Sequence, residues 1–235
     1  MGISIIHTLQ TLLADSTRPL RLIELGPGKG TLMSDILRVF ASVGSAYDRL
    51  EQCILIENSP KLKNTQKGIL KEHFPLMRFN WLCSVEELLA KDQDDLLTVC
   101  ISNEFFDALP VYIFRRTEQQ QWREMLVDGL DVGDDIEFRM VSSPGPTANS
   151  VFFKLDQTIE TKAGSWVEVC PEAKRTCEQF ADLLARSGGM FITVDYGYTG
   201  QLNGPSLRVR NTLEFDNICC FVGNQATPST TDSFK

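Results

Sequence analysis

The segment LIELGPGKGTLM, Leu22 to Met33, is the part of the sequence from which the fold can be inferred. Its apolar start predicts the end of a buried strand, and the apolar spacing over residues 31–43 predicts an amphipathic helix. Between them, Gly26, Gly28 and Gly30 allow the backbone to turn sharply and to approach a ligand closely. Such a GxGxG turn either holds a small molecule or only joins a strand to a helix.

Strand-like and helix-like runs alternate after this turn. A second apolar run, CILIE, ends at Glu57 and precedes a helix whose start is marked by Ser59 and Pro60. The strand MRFNWL, the short helix SVEELLA and the strand LLTVCIS follow. This alternation predicts an α/β fold with a doubly wound, mostly parallel sheet, whose ligand lies beyond the carboxyl ends of the strands. Glu24, Glu57 and Asn103 are all expected at those ends.

The rest of the chain adds other elements to this sheet. The runs WREMLV and IEFRMV flank an acidic turn and predict a β-hairpin over residues 117–141, antiparallel to the main sheet. SSPGPTANS is expected to be a loop, and Pro171 lies in the first turn of a predicted helix that leads into the strand MFITVDYG. The first residues, MGISIIHTLQTLLAD, predict an amphipathic helix. We expect one domain over residues 1–204, with the hairpin as an insertion, and a divergent, partly disordered tail over residues 205–235.

Composition excludes several classes of partner. A net charge of -8 and a pI near 4.9 argue against nucleic acid and anionic membranes, which bind basic surfaces. Seven cysteines without a CxxC pair indicate reduced thiols in an intracellular protein. His7 and His73 stand alone, so no metal site is expected. No apolar run approaches the roughly 20 residues of a membrane span.

The charge beside the glycine turn separates two classes of ligand. A dinucleotide site has its third glycine one position later, where this chain has Thr31, and Glu24 would repel a pyrophosphate. The same carboxylate would favour a ligand with a positive group, such as S-adenosylmethionine. Glu57 could accept hydrogen bonds from the ribose hydroxyls of either ligand. Two structural alternatives stay open: Glu24 could instead accept a nearby backbone N–H, and Glu57 could be a solvated strand end.

The segment NEFFDALP follows a strand whose composition implies burial. Asn103, Glu104 and Asp107 are therefore expected to emerge at the cleft. Two carboxylates suit a guanidinium acceptor, because they can orient it through paired hydrogen bonds for methyl transfer to nitrogen. The alternative is a helix start capped by Asn103, with Phe105 and Phe106 in the core.

The motifs ELGPGKGTLMSDILR, IENSPKLKNTQ, NEFFDALPVYIF, WREMLV, VEVCPEA and GGMFITVDYG occur in this order over residues 20–198. Together they resemble the MidA-type class I methyltransferases, a family that includes the mitochondrial complex I assembly methyltransferase that modifies arginine. The resemblance implies a Rossmann-like sheet and S-adenosylmethionine bound by Gly26, Gly28, Gly30 and Glu57. Glu24 and Asn103 are added to this cofactor site, and Glu104 and Asp107 are assigned as catalytic, from their position and chemistry.

The resemblance also implies a function. It suggests an S-adenosylmethionine-dependent protein arginine N-methyltransferase of the mitochondrial matrix, whose substrate is a complex I subunit. One alternative is a catalytically inactive assembly or chaperone protein that keeps the same fold. Another is a nicotinamide-dependent oxidoreductase, which would need phosphate-binding glycines and a proton-relay residue that the sequence does not offer.

The chain departs from the family pattern at both ends. Only about twenty residues precede the glycine turn, where the family has a long N-terminal region with a lid-like segment, and the resemblance ends at about Arg208. We therefore expect a shortened form, which could keep cofactor binding and lose part of its acceptor binding. No clear mitochondrial transit peptide is recognisable in the first residues.

Overall fold

The computed structural model describes residues 7, 17–43, 47–91, 96–133, 135–155, 162–197 and 204–206. In chain order the elements are β1 (Leu20–Leu25), α1 (Thr31–Val43), β2 (Leu50–Ile56), α2 (Pro60–His73), β3 (Phe79–Leu82), α3 (Val85–Lys91), β4 (Leu97–Asn103), β5 (Tyr112–Arg116), β6 (Trp122–Val132), β7 (Asp135–Ser142), α4 (Ala148–Phe152), β8 (Trp166–Val169), α5 (Pro171–Ser187) and β9 (Gly189–Val194). Apart from His7, the predicted N-terminal helix lies outside the described residues, as do residues 207–235 of the predicted tail.

The described residues form two compact units. The first contains those up to Leu109 and those from Pro171 to Gly197, and the second contains those from Pro110 to Cys170 together with 204–206. The first unit holds a five-stranded sheet of order β3-β2-β1-β4-β9, in which every neighbouring pair is parallel. The predicted parallel α/β fold is therefore confirmed.

Helices cover both faces of this sheet because its central strands are apolar on both sides. All six residues of β1 are buried, and successive side chains of a strand point to opposite faces. Leu20 and Leu22 belong to a core cluster with α1 and Leu70 of α2. Ile23 and Leu25 belong to a second cluster with α3 and α5. The sheet is thus doubly wound, as the sequence predicts.

The strand order reverses beside β1, which fixes where a ligand can bind. β2 and β3 lie on one side of β1, and β4 and β9 lie on the other. Near its carboxyl end, Glu24 is paired with Leu55 of β2 and Ile101 of β4. In doubly wound sheets the ligand crevice lies outside the carboxyl ends at this switch point. The glycine turn and the segment after β4 both start there.

Two predicted helix starts are confirmed in detail. The Ser59 hydroxyl accepts the backbone N–H of Leu62 at 3.3 Å, and Pro60 occupies the first helical position of α2. Pro171 likewise begins α5. Proline suits these positions because its missing N–H would have no partner within the helix.

The second unit holds an antiparallel sheet of order β7-β6-β5-β8. The predicted hairpin is present as β6 and β7, with an ion pair between Asp128 and Arg139 at 2.8 Å. It does not join the parallel sheet, because the first residues of β6 pair with β5 instead. β5 and β8, of five and four residues, are strands that were not predicted, because they lie outside the regular alternation of strands and helices.

The predicted loop SSPGPTANS ends sooner than expected, because α4 begins at Ala148. Thr147 and Ser150 form a reciprocal cap: the Thr147 hydroxyl accepts the Ser150 N–H at 3.2 Å, and the Ser150 hydroxyl accepts the Thr147 N–H at 3.0 Å. This capping box stabilises the first turn of a helix that has no buried residue.

Candidate active site

The glycine turn after β1 has a left-handed backbone at each of its glycines. The φ angles are +59° at Gly26, +53° at Gly28 and +84° at Gly30, a region that residues with a Cβ rarely adopt. A Cβ at Gly26 would lie 2.8 Å from Cδ2 of Phe105, whereas a Cβ at Gly28 would meet no atom within 4 Å. Gly26 is therefore needed for packing, and Gly28 faces open space at the carboxyl end of the sheet.

Glu24 is a buried carboxyl immediately before this turn. Only 3% of the residue is exposed, and desolvation raises its pKa from an ordinary value of 4.5 to about 8, against a smaller opposite effect of the backbone N–H of Met33. Helix α1 starts after Gly30, which has no side chain that could cap it. The carboxyl of Glu24 instead accepts a backbone N–H in the first turn of the helix, that of Met33. The structural alternative for Glu24 is thus realised. Its Oε2 atom, however, accepts no hydrogen bond from the described residues.

Glu57 is held in place at the end of β2. Its Oε1 atom accepts the backbone N–H of Ser59 at 2.8 Å, and its Oε2 atom accepts a hydrogen bond from Nε2 of Gln66 at 3.3 Å. The residue is 8% exposed, so it is not the solvated strand end that the sequence left open. A carboxylate has about four lone-pair positions, and these two bonds leave about two for a ligand.

Gln66 of α2 is a site residue that the sequence analysis missed. It is fully buried and its amide contacts both Glu57 and the carbonyl oxygen of Gly28, the latter at 2.7 Å. A signal was available in the sequence, because Gln66 lies on the same helical face as Leu62 and Leu70. A polar residue at an inward position of an amphipathic helix needs a buried partner.

The segment after β4 forms a turn and not a helix. Residues 104–109 have no helical turn, so the alternative of a helix start capped by Asn103 is wrong. Asn103 is the half-buried last residue of β4. Glu104 and Asp107 are both exposed, and Glu104 has a left-handed backbone with φ of +49°. A non-glycine residue in this region is strained and is often found at functional sites.

Residues at the end of β9 fix the turn after β4. Asp195 accepts the backbone N–H groups of Phe106 at 2.9 Å and of Asp107 at 3.3 Å through Oδ2. The Tyr196 hydroxyl donates to Oε1 of Glu104 at 3.0 Å. Neither residue was assigned from the sequence, although both belong to the quoted motif GGMFITVDYG. Their role depends on β9 lying beside β4, which the sequence order does not reveal.

Phe105 connects the two parts of the site. Its ring lies against the backbone of Gly26, where it excludes a Cβ. It also packs edge-to-face on Phe106, whose ring lies 6.1 Å from that of Phe191 in β9. The predicted core position of the two phenylalanines is partly realised, since both are half-buried. The glycine turn and the turn that carries Glu104 therefore belong to one continuous site.

The described part of the chain has neither a cluster of metal ligands nor a membrane-spanning helix. There, no three histidine, cysteine, aspartate or glutamate residues are grouped so that they could hold a metal ion. None of the described helices is both long and apolar enough to cross a membrane.

Two curated relatives of this chain have the same name. The protein of Homo sapiens named "Protein arginine methyltransferase NDUFAF7, mitochondrial" is 35% identical over 194 residues, which are 77% of this chain and 42% of that protein. The protein of the same name from Danio rerio is 34% identical over 206 residues, covering 80% of this chain and 46% of that protein. The chain thus spans less than half the length of these curated relatives.

Two solved structures from Burkholderia thailandensis have the same fold. An uncharacterized protein superposes with a TM-score of 0.63 at 21% identity, over 85% of this chain and 49% of that one. A member of the same superfamily, bound to S-adenosyl-homocysteine, superposes with a TM-score of 0.60 at 24% identity, over 84% of this chain and 46% of that one. At these identities the likeness concerns the fold alone.

A family model with the description "Putative S-adenosyl-L-methionine-dependent methyltransferase" matches residues 1–228. This match extends over nearly the whole chain and includes the glycine turn, Glu57, and the turns that carry Glu104 and Asp195. Together with the doubly wound sheet and its carboxyl-end site, it establishes that the chain belongs to this methyltransferase family.

Proposed function

We propose that the chain binds S-adenosylmethionine at the carboxyl ends of β1, β2 and β4. The observation that carries this proposal concerns the carboxyl of Glu24, which is buried beside the glycine turn. One of its two oxygens has no hydrogen-bond partner among the described residues. A buried acceptor of this kind is costly unless a ligand satisfies it. A cationic group such as the ammonium of S-adenosylmethionine would do so and would stabilise the ionised carboxylate. A pyrophosphate would be repelled.

The neighbouring groups fit the remaining parts of this ligand. The open space at Gly28 would admit it without a side chain in the way. The first turn of α1 favours a negative group, which suits the carboxylate of the methionine portion. Glu57 keeps about two lone-pair positions beyond its bonds to Ser59 and Gln66, enough for two ribose hydroxyls.

Glu104 and Asp107 are proposed to act on the acceptor. When bound, S-adenosylmethionine would supply an electrophilic methyl group, which the acceptor nitrogen would take while the carbon–sulfur bond breaks and its electron pair stays on sulfur. The two exposed carboxylates would accept guanidinium N–H groups and orient the attacking nitrogen. The proton that this nitrogen loses passes to one of these carboxylates and then to water. The Tyr196 hydroxyl would keep Glu104 in a fixed rotamer.

For the whole protein, we propose protein arginine N-methylation in the mitochondrial matrix, with a complex I subunit as the substrate. The names of the curated relatives support arginine methylation and a mitochondrial location. The choice of a complex I subunit rests on the motif resemblance described above. Because the chain spans less than half of those relatives, acceptor binding is expected to need regions that they contain and that this chain does not match.

Calorimetric titration tests the cofactor assignment. The 235-residue chain is titrated with S-adenosylmethionine and, in parallel, with NADH. We expect saturable binding of S-adenosylmethionine and no binding of NADH. The opposite result, or no heat with either ligand from a folded sample, would overturn the proposal. A radiolabelled methyl-transfer assay on a complex I preparation then separates an enzyme from a catalytically inactive assembly protein, which would bind the cofactor without transfer.

A further inference from the structure

Gln66 forms hydrogen bonds with three separate segments of the first unit. Its Nε2 atom donates to the carbonyl oxygen of Gly28 at 2.7 Å and to Oε2 of Glu57 at 3.3 Å. Its Oε1 atom accepts from Nε1 of Trp81 in β3 at 3.0 Å. The side chain is fully buried. Its two donor hydrogens are therefore both used, and they contact the two parts of the cofactor site.

Trp81 fixes which way the Gln66 amide faces. An indole N–H can only donate, so the group opposite Trp81 must be the amide oxygen. The amide nitrogen must then face Gly28 and Glu57, both of which offer only acceptors there. The reversed amide would place two donors together at Trp81 and would leave the Gly28 carbonyl and the Glu57 carboxylate facing an oxygen. The orientation thus follows from the chemistry of all three partners.

The backbone of the glycine turn is matched to this side chain. A Cβ at Gly30 would lie 3.3 Å from Cγ of Gln66, a tight contact, so glycine at this position lets α2 approach the turn. The bond to the Gly28 carbonyl then holds the turn at the residue that faces open space. The bond to Glu57 uses one lone-pair position of Oε2 and restricts the carboxylate to one rotamer.

We propose that Gln66 is a positioning residue for cofactor binding, which fixes the glycine turn and the Glu57 carboxylate relative to each other. The inference deepens the proposed function and rests on it. Gln66 itself is buried beneath the two groups and acts through them. It sets the distance between the part of the site that would hold the methionine portion and the part that would hold the ribose.

Another buried glutamine provides the matched control. Gln52 of β2 is 4% exposed and accepts a hydrogen bond from Asn80 at 2.9 Å, but it lies near the amino end of the strand, away from the site. Replacing either glutamine with methionine removes a buried amide and keeps the side-chain length. Both changes should lower the melting temperature. Only the change at Gln66 should alter cofactor affinity.

The test is a double-mutant cycle on the dissociation constant of S-adenosylmethionine, measured by calorimetry on the 235-residue chain. Gln66→Met alone should weaken binding by about fivefold or more, the scale of one or two lost hydrogen bonds. In a Glu57→Ala background the same change should weaken it by less than about twofold, because Gln66 acts in part through Glu57. Gln66→Glu keeps the shape and an acceptor for Trp81 but has at most one donor, and only when it is protonated, so it should still bind S-adenosylmethionine more weakly than the parent.

Several outcomes would overturn the inference. They are an unchanged affinity for Gln66→Met, an effect equal in both backgrounds, or full affinity in Gln66→Glu, each with a parent that binds S-adenosylmethionine. If Gln66→Met does not fold, Trp81→Phe takes its place: it keeps an aromatic ring, removes the N–H that orients the amide, and should weaken binding by about twofold to threefold. Unchanged affinity in that folded variant would also overturn the inference. A folded parent that does not bind the cofactor would instead overturn the proposed function, and the inference with it.

Discussion

Asp195 and Phe106 are 89 positions apart in the sequence, and the carboxylate of one accepts the backbone N–H of the other at 2.9 Å. The bond joins the end of β9 to the turn that follows β4. Together with the bond from the Asp107 N–H to the same oxygen, it occupies N–H groups that would otherwise face water or a ligand, so the backbone of the turn is fixed from within the fold. The carboxylates of Glu104 and Asp107 stay exposed on this fixed turn. Their position on a rigid support suits a role in orienting an acceptor.

Glu104→Gln and Asp107→Asn should separate methyl transfer from cofactor binding. Because we place both carboxylates on the acceptor, cofactor affinity should stay near that of the parent, while transfer falls at least about a hundredfold. Transfer is measured with radiolabelled cofactor in a protein extended to the full length of the curated relatives, and affinity by calorimetry. Asp182→Asn, an exposed aspartate on α5, is the control. If both variants transfer methyl groups at the parent rate, other residues orient the acceptor. If both lose cofactor binding, these carboxylates belong to the cofactor pocket.

Gly28→Val should abolish S-adenosylmethionine binding and leave the fold largely intact. The new side chain would enter the open space at the turn, and the left-handed φ of +53° adds strain of about 1–2 kcal/mol. Gly133→Val is a matched control, since Gly133 has a φ of +68°, no atom within 4 Å of a Cβ, and a position in the hairpin. Binding is measured by calorimetry and folding by circular dichroism. Parent-like affinity in Gly28→Val would mean that the ligand binds elsewhere.

Glu57→Ala should weaken S-adenosylmethionine binding at least about tenfold, the equivalent of roughly 1.4 kcal/mol. The expected cause is the loss of two ribose hydrogen bonds to a charged acceptor. Glu124→Ala provides a comparison in the second unit, where Glu124 is 6% exposed and accepts a hydrogen bond from Asn149 at 2.9 Å. It should lower stability without a change in affinity. If Glu57→Ala leaves the dissociation constant unchanged, the role of Glu57 is structural and consists of its hydrogen bonds with Ser59 and Gln66.

Glu24 should make the stability of the unliganded protein fall as pH rises. Burial raises its pKa from 4.5 to about 8, so between these two values the folded chain keeps a proton that the unfolded chain has lost. Stability from this group is therefore greatest below about pH 4.5 and is lost as pH rises through about 8. Cys53 and Cys100 lie near this carboxyl, but burial raises their pKa values too, so both thiols stay protonated in this range.

Glu24→Gln isolates this effect, because it keeps the side-chain length and an acceptor for Met33 but cannot titrate. The melting temperature of the parent should fall relative to that of the variant by about 3 °C or more between pH 5 and pH 8, the shift expected from about 1 kcal/mol in a protein of this size. Thermal melts at half-unit pH steps provide the measurement. Parallel curves for parent and variant would show that Glu24 is ionised throughout this range.

The elements that the sequence predicted correctly are those with local signals. The strand, the glycine turn and the helix at residues 22–43 follow from residue types that are close together in the chain. Ser59 and Pro60 act within one helical turn, since Pro60 is the first helical residue and the Ser59 hydroxyl accepts the N–H of Leu62. The short strands β5 and β8 were missed, although the equally short β3 was predicted, because they lie outside the alternation of strands and helices that indicates the parallel sheet. The separate sheet that they form with the hairpin also depends on pairing between distant segments.

The sequence was sufficient to place Glu24, Glu57 and Asn103 at the carboxyl ends of the strands, because alternation and turn chemistry act over a few residues. It could not give their partners. Gln66 contacts Gly28 across 38 positions, Tyr196 contacts Glu104 across 92, and Glu24 acquires its raised pKa from burial between neighbouring strands and a helix. Such contacts arise only when the parallel sheet brings remote strand ends to one edge and excludes water. Hydrogen-bond partners and desolvation depend on that three-dimensional arrangement, whereas backbone preferences belong to each short segment of the chain.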